Sequence, residues 1–226
     1  MGILENIKEV QVRISEAAKK VGRNPDEITL VGVSKTKPVE LIKEAVEGGI
    51  TILGENRVQE VMEKVDYIHG AGWHLIGHLQ KNKVKYIVGV ASLIHSVDSV
   101  ELAKEIDKQA KKCGIVQDIL VQVNISKEET KSGIDAKDTE RICREIALFE
   151  NVRIKGFMTM APRDADDEKL HEIFGGLRIL REDIKAKNIE NVFPEELSMG
   201  MSGDYEIAIM EGATIVRVGT GIFGTR

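Results

Sequence analysis

Lys35 ends an apolar run of β-forming residues, Ile28-Thr-Leu-Val-Gly-Val-Ser-Lys35, and Thr36-Lys37-Pro38 follows at once. A lysine where a strand opens into a loop is aimed into the pocket that strand ends frame. Burial there disfavours its ammonium form, and an unprotonated lysine amine is the nucleophile that condenses with an aldehyde to a Schiff base. The plain alternative is a solvated surface charge. A second chemistry lies in the last stretch, Arg217-Val-Gly219-Thr220-Gly221-Ile-Phe-Gly224. Small residues after a strand let backbone N–H groups approach a phosphate, and the Thr220 hydroxyl adds a donor. Ser198-Met-Gly200-Met-Ser202-Gly203 brings further donors. The alternative for the glycines is a tight loop that needs their backbone freedom.

Arg217 is a charge inside a strand run. It is either an ion-pair partner or a neighbour of a heteroaromatic nitrogen, which it would leave unprotonated because arginine keeps its own proton. Asn56 has two readings, a donor to a phenolic oxygen or the cap of the helix it begins. His78 is a candidate acid/base or a hydrogen-bonded structural histidine. His69, His74, His95 and His171 have no metal-ligand spacing with carboxylates, so no metal is expected. Lys81, Lys83 and Lys85 read as one solvated helix face.

These residues need a frame that brings distant segments together. Apolar residues at helical spacing, Leu4, Ile7, Val10, Ile14, Ala17, Ala18 and Val21, predict an N-terminal helix ending at Gly22. Short strands then alternate with helices. The strands are expected at Thr29–Val33, Ile50–Leu53, Trp73–Ile76, Leu93–Val97, Ile119–Ile125, Val152–Met158, Leu197–Met199 and Thr214–Val218. The helices between them are expected at Val39–Glu47, Asn56–Val65, Gln80–Tyr86, from an Asp98 cap to Gly114, Asp138–Phe149, a long segment carrying Leu170 to Ile184, and Tyr205–Met210. Eight strand–helix units with apolar strands predict an α/β fold, a single (β/α)8 TIM barrel with an extra N-terminal helix; a doubly wound sheet is the alternative. In a barrel the polar strand ends converge on one mouth. No Pro/Gly/Ser-rich linker divides the chain, so residues 1–226 are expected to form one domain.

Composition narrows the function classes. The chain has 226 residues and a net charge of −5, and aromatics make up 4%. That balance argues against nucleic acid, anionic membrane and base-stacking surfaces as partners. Cys113 and Cys143 have no metal spacing, and Cys143 falls on an apolar helix face, which points to a reducing compartment. No signal-like or membrane-spanning run is present in the sequence, so a cytoplasmic protein is expected.

Taken together, Val33-Ser-Lys-Thr-Lys-Pro38, Gly54-Glu-Asn-Arg-Val-Gln-Glu60, Trp73 to Lys83, Val123-Asn-Ile-Ser126, Lys131-Ser-Gly-Ile134, Gly156 to Pro162, Leu197 to Ser202 and Arg217 to Gly224 resemble the YggS/PROSC family of pyridoxal phosphate homeostasis proteins. The resemblance covers nearly the whole chain; Gly203 departs from it, where the family commonly has a polar residue. It implies an alanine racemase-like barrel and pyridoxal 5′-phosphate held as a Schiff base on Lys35. It places the phosphate near Ser202, Gly219 and Thr220 and the ring nitrogen near Arg217. Asn56, His78, Met158 and Ser198 complete the implied cofactor site. It implies no established turnover but a carrier that buffers the cofactor, affects amino-acid and keto-acid metabolism, and could pass the cofactor to pyridoxal phosphate-dependent apoenzymes. The alternative is a racemase or related pyridoxal enzyme. A two-base racemase needs a base on each face of the substrate α-carbon. The related racemases supply one from a second, β-rich domain; this sequence stops at Arg226, so an open pocket and a monomer are expected.

Overall fold

Eight parallel strands carry the architecture: β1 (Thr29–Val33), β2 (Ile52–Glu55), β3 (Gly72–Leu75), β4 (Leu93–Val97), β5 (Gln117–Asn124), β6 (Val152–Met158), β7 (Val192–Ser198) and β8 (Ile215–Val218). The structure, a computed structural model, describes residues 2–126, 128 and 132–224. Lys131 and Arg226, both used in the sequence reading, lie outside the described residues. Each strand pairs with the next, and β8 returns to β1 with Val31 beside Arg217, so the sheet closes as a TIM barrel. A two-residue strand, Ile134–Asp135, adds to β5 outside the ring.

Helices α1 (Ile3–Lys20), α2 (Val39–Glu47), α3 (Val58–Lys64), α4 (Val84–Ile87), α5 (Val100–Cys113), α6 (Thr139–Ile146), α7 (Asp167–Ala186), α8 (Tyr205–Met210) and α9 (Thr220–Phe223) accompany the strands. The main core lies between helices and strands, and Val31, Leu93, Leu120, Met158 and Ile215 fill a second, inner cluster. Parallel strands buried on both faces require this double layer of apolar side chains. Helix α1 buries Ile3, Ile7, Val10, Ile14, Ala17 and Ala18. It packs against α8, α9 and α2. Fully burying one Ile or Val there is worth about 1.5–3 kcal/mol. Asn6 Nδ2 donates to the Ile222 carbonyl at 2.9 Å, tying the first helix to the last.

Several boundaries differ from the sequence expectation. Leu4 and Val21, assigned to the buried stripe of α1, are exposed, and Ile3 is buried instead. Asp98 does not cap α5: Ser99 Oγ accepts from the Leu102 amide at 3.3 Å. Helix α3 begins only at Val58, so Asn56 does not cap it. The expected helix from Gln80 starts as a 3-10 turn, Lys81–Lys83, before α4, and a second such turn, Ala136–Asp138, precedes α6. Strand β7 is longer than expected because Pro194, Glu195 and Glu196 mask it; Glu196 finds a partner in Thr214 Oγ1 at 2.5 Å. Gly156 has φ 154°, and a Cβ there would lie 1.9 Å from the Glu196 carbonyl oxygen, so β6 and β7 approach closely only with glycine at this point.

Candidate functional site

The carboxyl ends of the strands open into a cavity of about 430 Å³ lined by Lys35, Asn56, His78, Ser202, Arg217, Gly219 and Thr220, with Gln122, Met160, Arg163 and Met201 among the other residues. Strand β1 delivers Lys35 to this mouth, since the chain leaves the barrel at Ser34, which is fully buried. Lys35 is half-buried, and among the described residues its ammonium meets no hydrogen-bond or ion-pair partner. Its neighbour Lys37 is committed elsewhere, donating to the Phe223 and Gly224 carbonyls at 3.0 and 3.3 Å.

Strand β8 brings Arg217, which is 3% exposed yet lines the cavity. Burial pulls its guanidinium down to about 10, which still leaves it charged at neutral pH. Its Nη1 donates to Ser198 Oγ at 2.5 Å and its Nη2 to the Thr159 carbonyl at 3.1 Å. Ser198 Oγ also meets His95 Nδ1 at 2.8 Å, and His95 Nε2 meets His74 Nδ1 at 2.9 Å. Burial holds His74 down at about 4. Burial, His74 and Arg217 hold His95 well below the ordinary histidine range. Both rings are therefore neutral at pH 7. Arginine only donates, so the Ser198 hydroxyl proton points to His95 Nδ1, and the proton on His95 Nε2 points to His74.

The turn after β8 supplies backbone donors. The Gly219 and Gly221 amides both point at Ser202 Oγ, at 3.2 and 3.3 Å. One oxygen thus sits between two converging N–H groups, the arrangement that also suits an oxygen of a phosphate. Strand β2 ends at Glu55, and Asn56 follows at the rim. A Cβ on Gly77 would come within 2.3 Å of the Asn56 carbonyl oxygen, so glycine there lets the two loops touch. His78 is exposed, with Nδ1 3.6 Å from Asp98 Oδ2.

Two expected residues are not at the cavity. Met158 packs in the inner apolar cluster, and Met160, two residues on, lines the opening in its place. Ser198 is fully buried beneath Arg217 and reaches the site only through it. Each is the last residue of its strand, with its side chain buried inside the barrel below the mouth. Gln122 and Arg163, which line the cavity, and a buried lysine, Lys64, stand outside the residues expected from the sequence. Gln122 reads as a strand residue and Arg163 as a loop charge. Lys64 carried one signal, a position four residues after Glu60 on α3.

The barrel is that of the alanine racemase N-terminal domain, and the family model of that description matches residues 6–226. The alanine racemase of Clostridium difficile 630 shares this fold with a TM-score of 0.77 at 16% identity, over 98% of this chain and 57% of that one. A pyridoxal phosphate homeostasis protein of Aquifex aeolicus is 43% identical over 100% of this chain and 99% of its own. The PipY structure of Synechococcus elongatus with PLP bound matches with a TM-score of 0.83 at 34% identity, over 93% of this chain and 100% of that one. The chain belongs to the pyridoxal phosphate homeostasis protein family.

Proposed function

We propose that this protein binds pyridoxal 5′-phosphate and holds it in reserve through a Schiff-base linkage to Lys35. One observation carries the reading: a lysine amine with no partner among the described residues shares a cavity with Ser202, on whose hydroxyl two backbone N–H groups converge, and with a buried arginine. That donor set fits an aldehyde that carries a phosphate and a ring nitrogen. When bound, the cofactor supplies an electrophilic carbon and a ring that withdraws electrons.

In this reading Lys35 attaches the cofactor, and the Gly219 and Gly221 amides with Ser202 and Thr220 hold its phosphate. Arg217 would face the ring nitrogen and, as a fixed cation, keep it unprotonated, which weakens electron withdrawal. Asn56 is free of the capping role and would meet the phenolic oxygen, with His78 at the rim. The names of the relatives support binding of the cofactor rather than turnover. We read residues 1–226 as one unit, in accord with the family match over 6–226.

We read the protein as a carrier, not a racemase. Arg217 at the ring nitrogen would weaken the electron withdrawal that carbanion chemistry needs, and His78 stands at the rim, exposed, with Nδ1 3.6 Å from Asp98 Oδ2. Mixing the cofactor-loaded protein with each standard amino acid in deuterated water tests this. Exchange of the α-proton no faster than with free cofactor supports the carrier; faster exchange means an enzyme. Cytoplasmic location, a monomer and transfer to apoenzymes belong to the same proposal. Among the described residues no helix is long and apolar enough to cross a membrane. Sedimentation equilibrium at micromolar concentration tests the monomer, and a dimer that survives dilution contradicts it.

A further inference from the structure

Behind Lys35 lies a buried group of charges with no part in the site described above. Lys64 on α3 donates to the Ser34 carbonyl at 3.0 Å, to Glu55 Oε1 at 2.7 Å and to Glu60 Oε2 at 3.3 Å. Ser34 Oγ donates to the same Glu55 oxygen at 2.7 Å, and the Thr36 amide donates to Glu60 Oε2 at 2.6 Å. The Ser34 carbonyl belongs to the peptide unit before Lys35, and the Thr36 amide to the one after it. Both peptide units that flank the Lys35 Cα are thus fixed by side chains of one cluster. Thr36 itself has φ 62°, a left-handed conformation that a threonine rarely adopts, so something must hold it.

A surface would not need this arrangement. Lys64 and Glu55 are nearly or fully buried, and among the described residues Glu55 Oε2 has no hydrogen-bond partner, a cost to the fold. Replacing the cluster by apolar side chains would fill the same space, but no apolar side chain can hold a carbonyl on one side of Lys35 and an amide on the other. The Lys35 side chain meanwhile meets no partner among the described residues. A fixed Cα with a free amine is the condition under which an intramolecular attack gains most from orientation.

We propose that Lys64 and Glu60 are positioning residues that clamp the backbone on both sides of Lys35 and so set its reactivity toward the aldehyde. The inference rests on the cofactor reading above. In the step itself the Lys35 nitrogen lone pair forms the bond to the aldehyde carbon, and the oxygen leaves as water after taking two protons from the amine. The cofactor's own carbonyl is the only co-reactant.

The test compares pyridoxal 5′-phosphate with pyridoxine 5′-phosphate, which has the ring and phosphate but an alcohol in place of the aldehyde. Glu60 is 18% exposed, so its variants are the milder ones. Glu60→Ala should lower the affinity for pyridoxal 5′-phosphate about tenfold, while binding of the alcohol stays within about twofold of the wild type. Glu60→Gln keeps an acceptor for the Thr36 amide and should restore most of the loss. Lys64→Met should show the same split between the two ligands. Equal losses for both ligands, no loss for either, or a Gln variant as weak as the Ala variant would overturn the inference. Wild-type protein that forms no borohydride-fixable adduct would instead overturn the parent reading and the inference with it.

Discussion

Ser198 Oγ accepts the Nη1 hydrogen of Arg217 at 2.5 Å and so joins the cation of the cavity to a neutral pair of histidines inside the barrel. Arg217 cannot turn without breaking this bond and the one to the Thr159 carbonyl. The guanidinium is therefore presented to the cavity in one orientation, by residues that do not touch the opening themselves.

Ser198→Ala should cost about 1–3 kcal/mol of stability, the range for leaving a buried donor without its acceptor, with more for a charged one. Urea unfolding measures it. Affinity for pyridoxal 5′-phosphate should fall as well, since Arg217 is no longer held. A variant as stable as the wild type would mean that water or another acceptor replaces the hydroxyl.

The histidine pair should make stability depend on pH. His74 lies at about 4 in the fold against 6.5 in an unfolded chain, so between these values the unfolded state binds the extra proton. Stability from this group is then full above pH 6.5 and falls as the pH drops toward 4, by about 3 kcal/mol over the window. His95, also lowered, acts in the same direction. Glu55 and Asp204, whose carboxyls burial raises, act in the opposite one. Unfolding midpoints of wild type and His74→Gln between pH 7 and 5 isolate the effect. The variant should lose less stability on acidification, and parallel curves would contradict the assignment.

Much of this was legible from the sequence. Strands β1, β4 and β6 and helices α2 and α8 lie where the pattern puts them, because apolar periodicity and flanking glycines mark them without competition. Lys35, Ser202, Arg217, Gly219 and Thr220 gather at one mouth because a barrel aligns its strand ends. What stayed hidden depends on contacts across the chain. Pro194 and two glutamates disguise β7, whose strand character comes from pairing with β6. Met158 and Met160 differ by one pleat repeat, which no spacing rule distinguishes at a strand end. The tie from Lys64 to Ser34 spans thirty positions and three elements, so no local pattern contains it.

The phosphate assignment rests on the Gly219 and Gly221 amides. A Cβ on Gly219 would sit 3.3 Å from the Val33 Cβ, so a larger side chain has to lean into the cavity. Gly219→Leu should weaken pyridoxal 5′-phosphate far more than unphosphorylated pyridoxal, by about tenfold or more in relative Kd. Titration with both ligands, read by absorbance, checks it. Equal losses would move the phosphate elsewhere.

The attachment at Lys35 is the most direct test of the whole account. Borohydride reduction of the protein incubated with pyridoxal 5′-phosphate, followed by peptide mass mapping, should find the reduced adduct on the peptide that contains Lys35, and Lys35→Ala should abolish it. Adduct on Lys37, whose amine is bound to the Phe223 carbonyl, or on the exposed Lys81 would contradict the account.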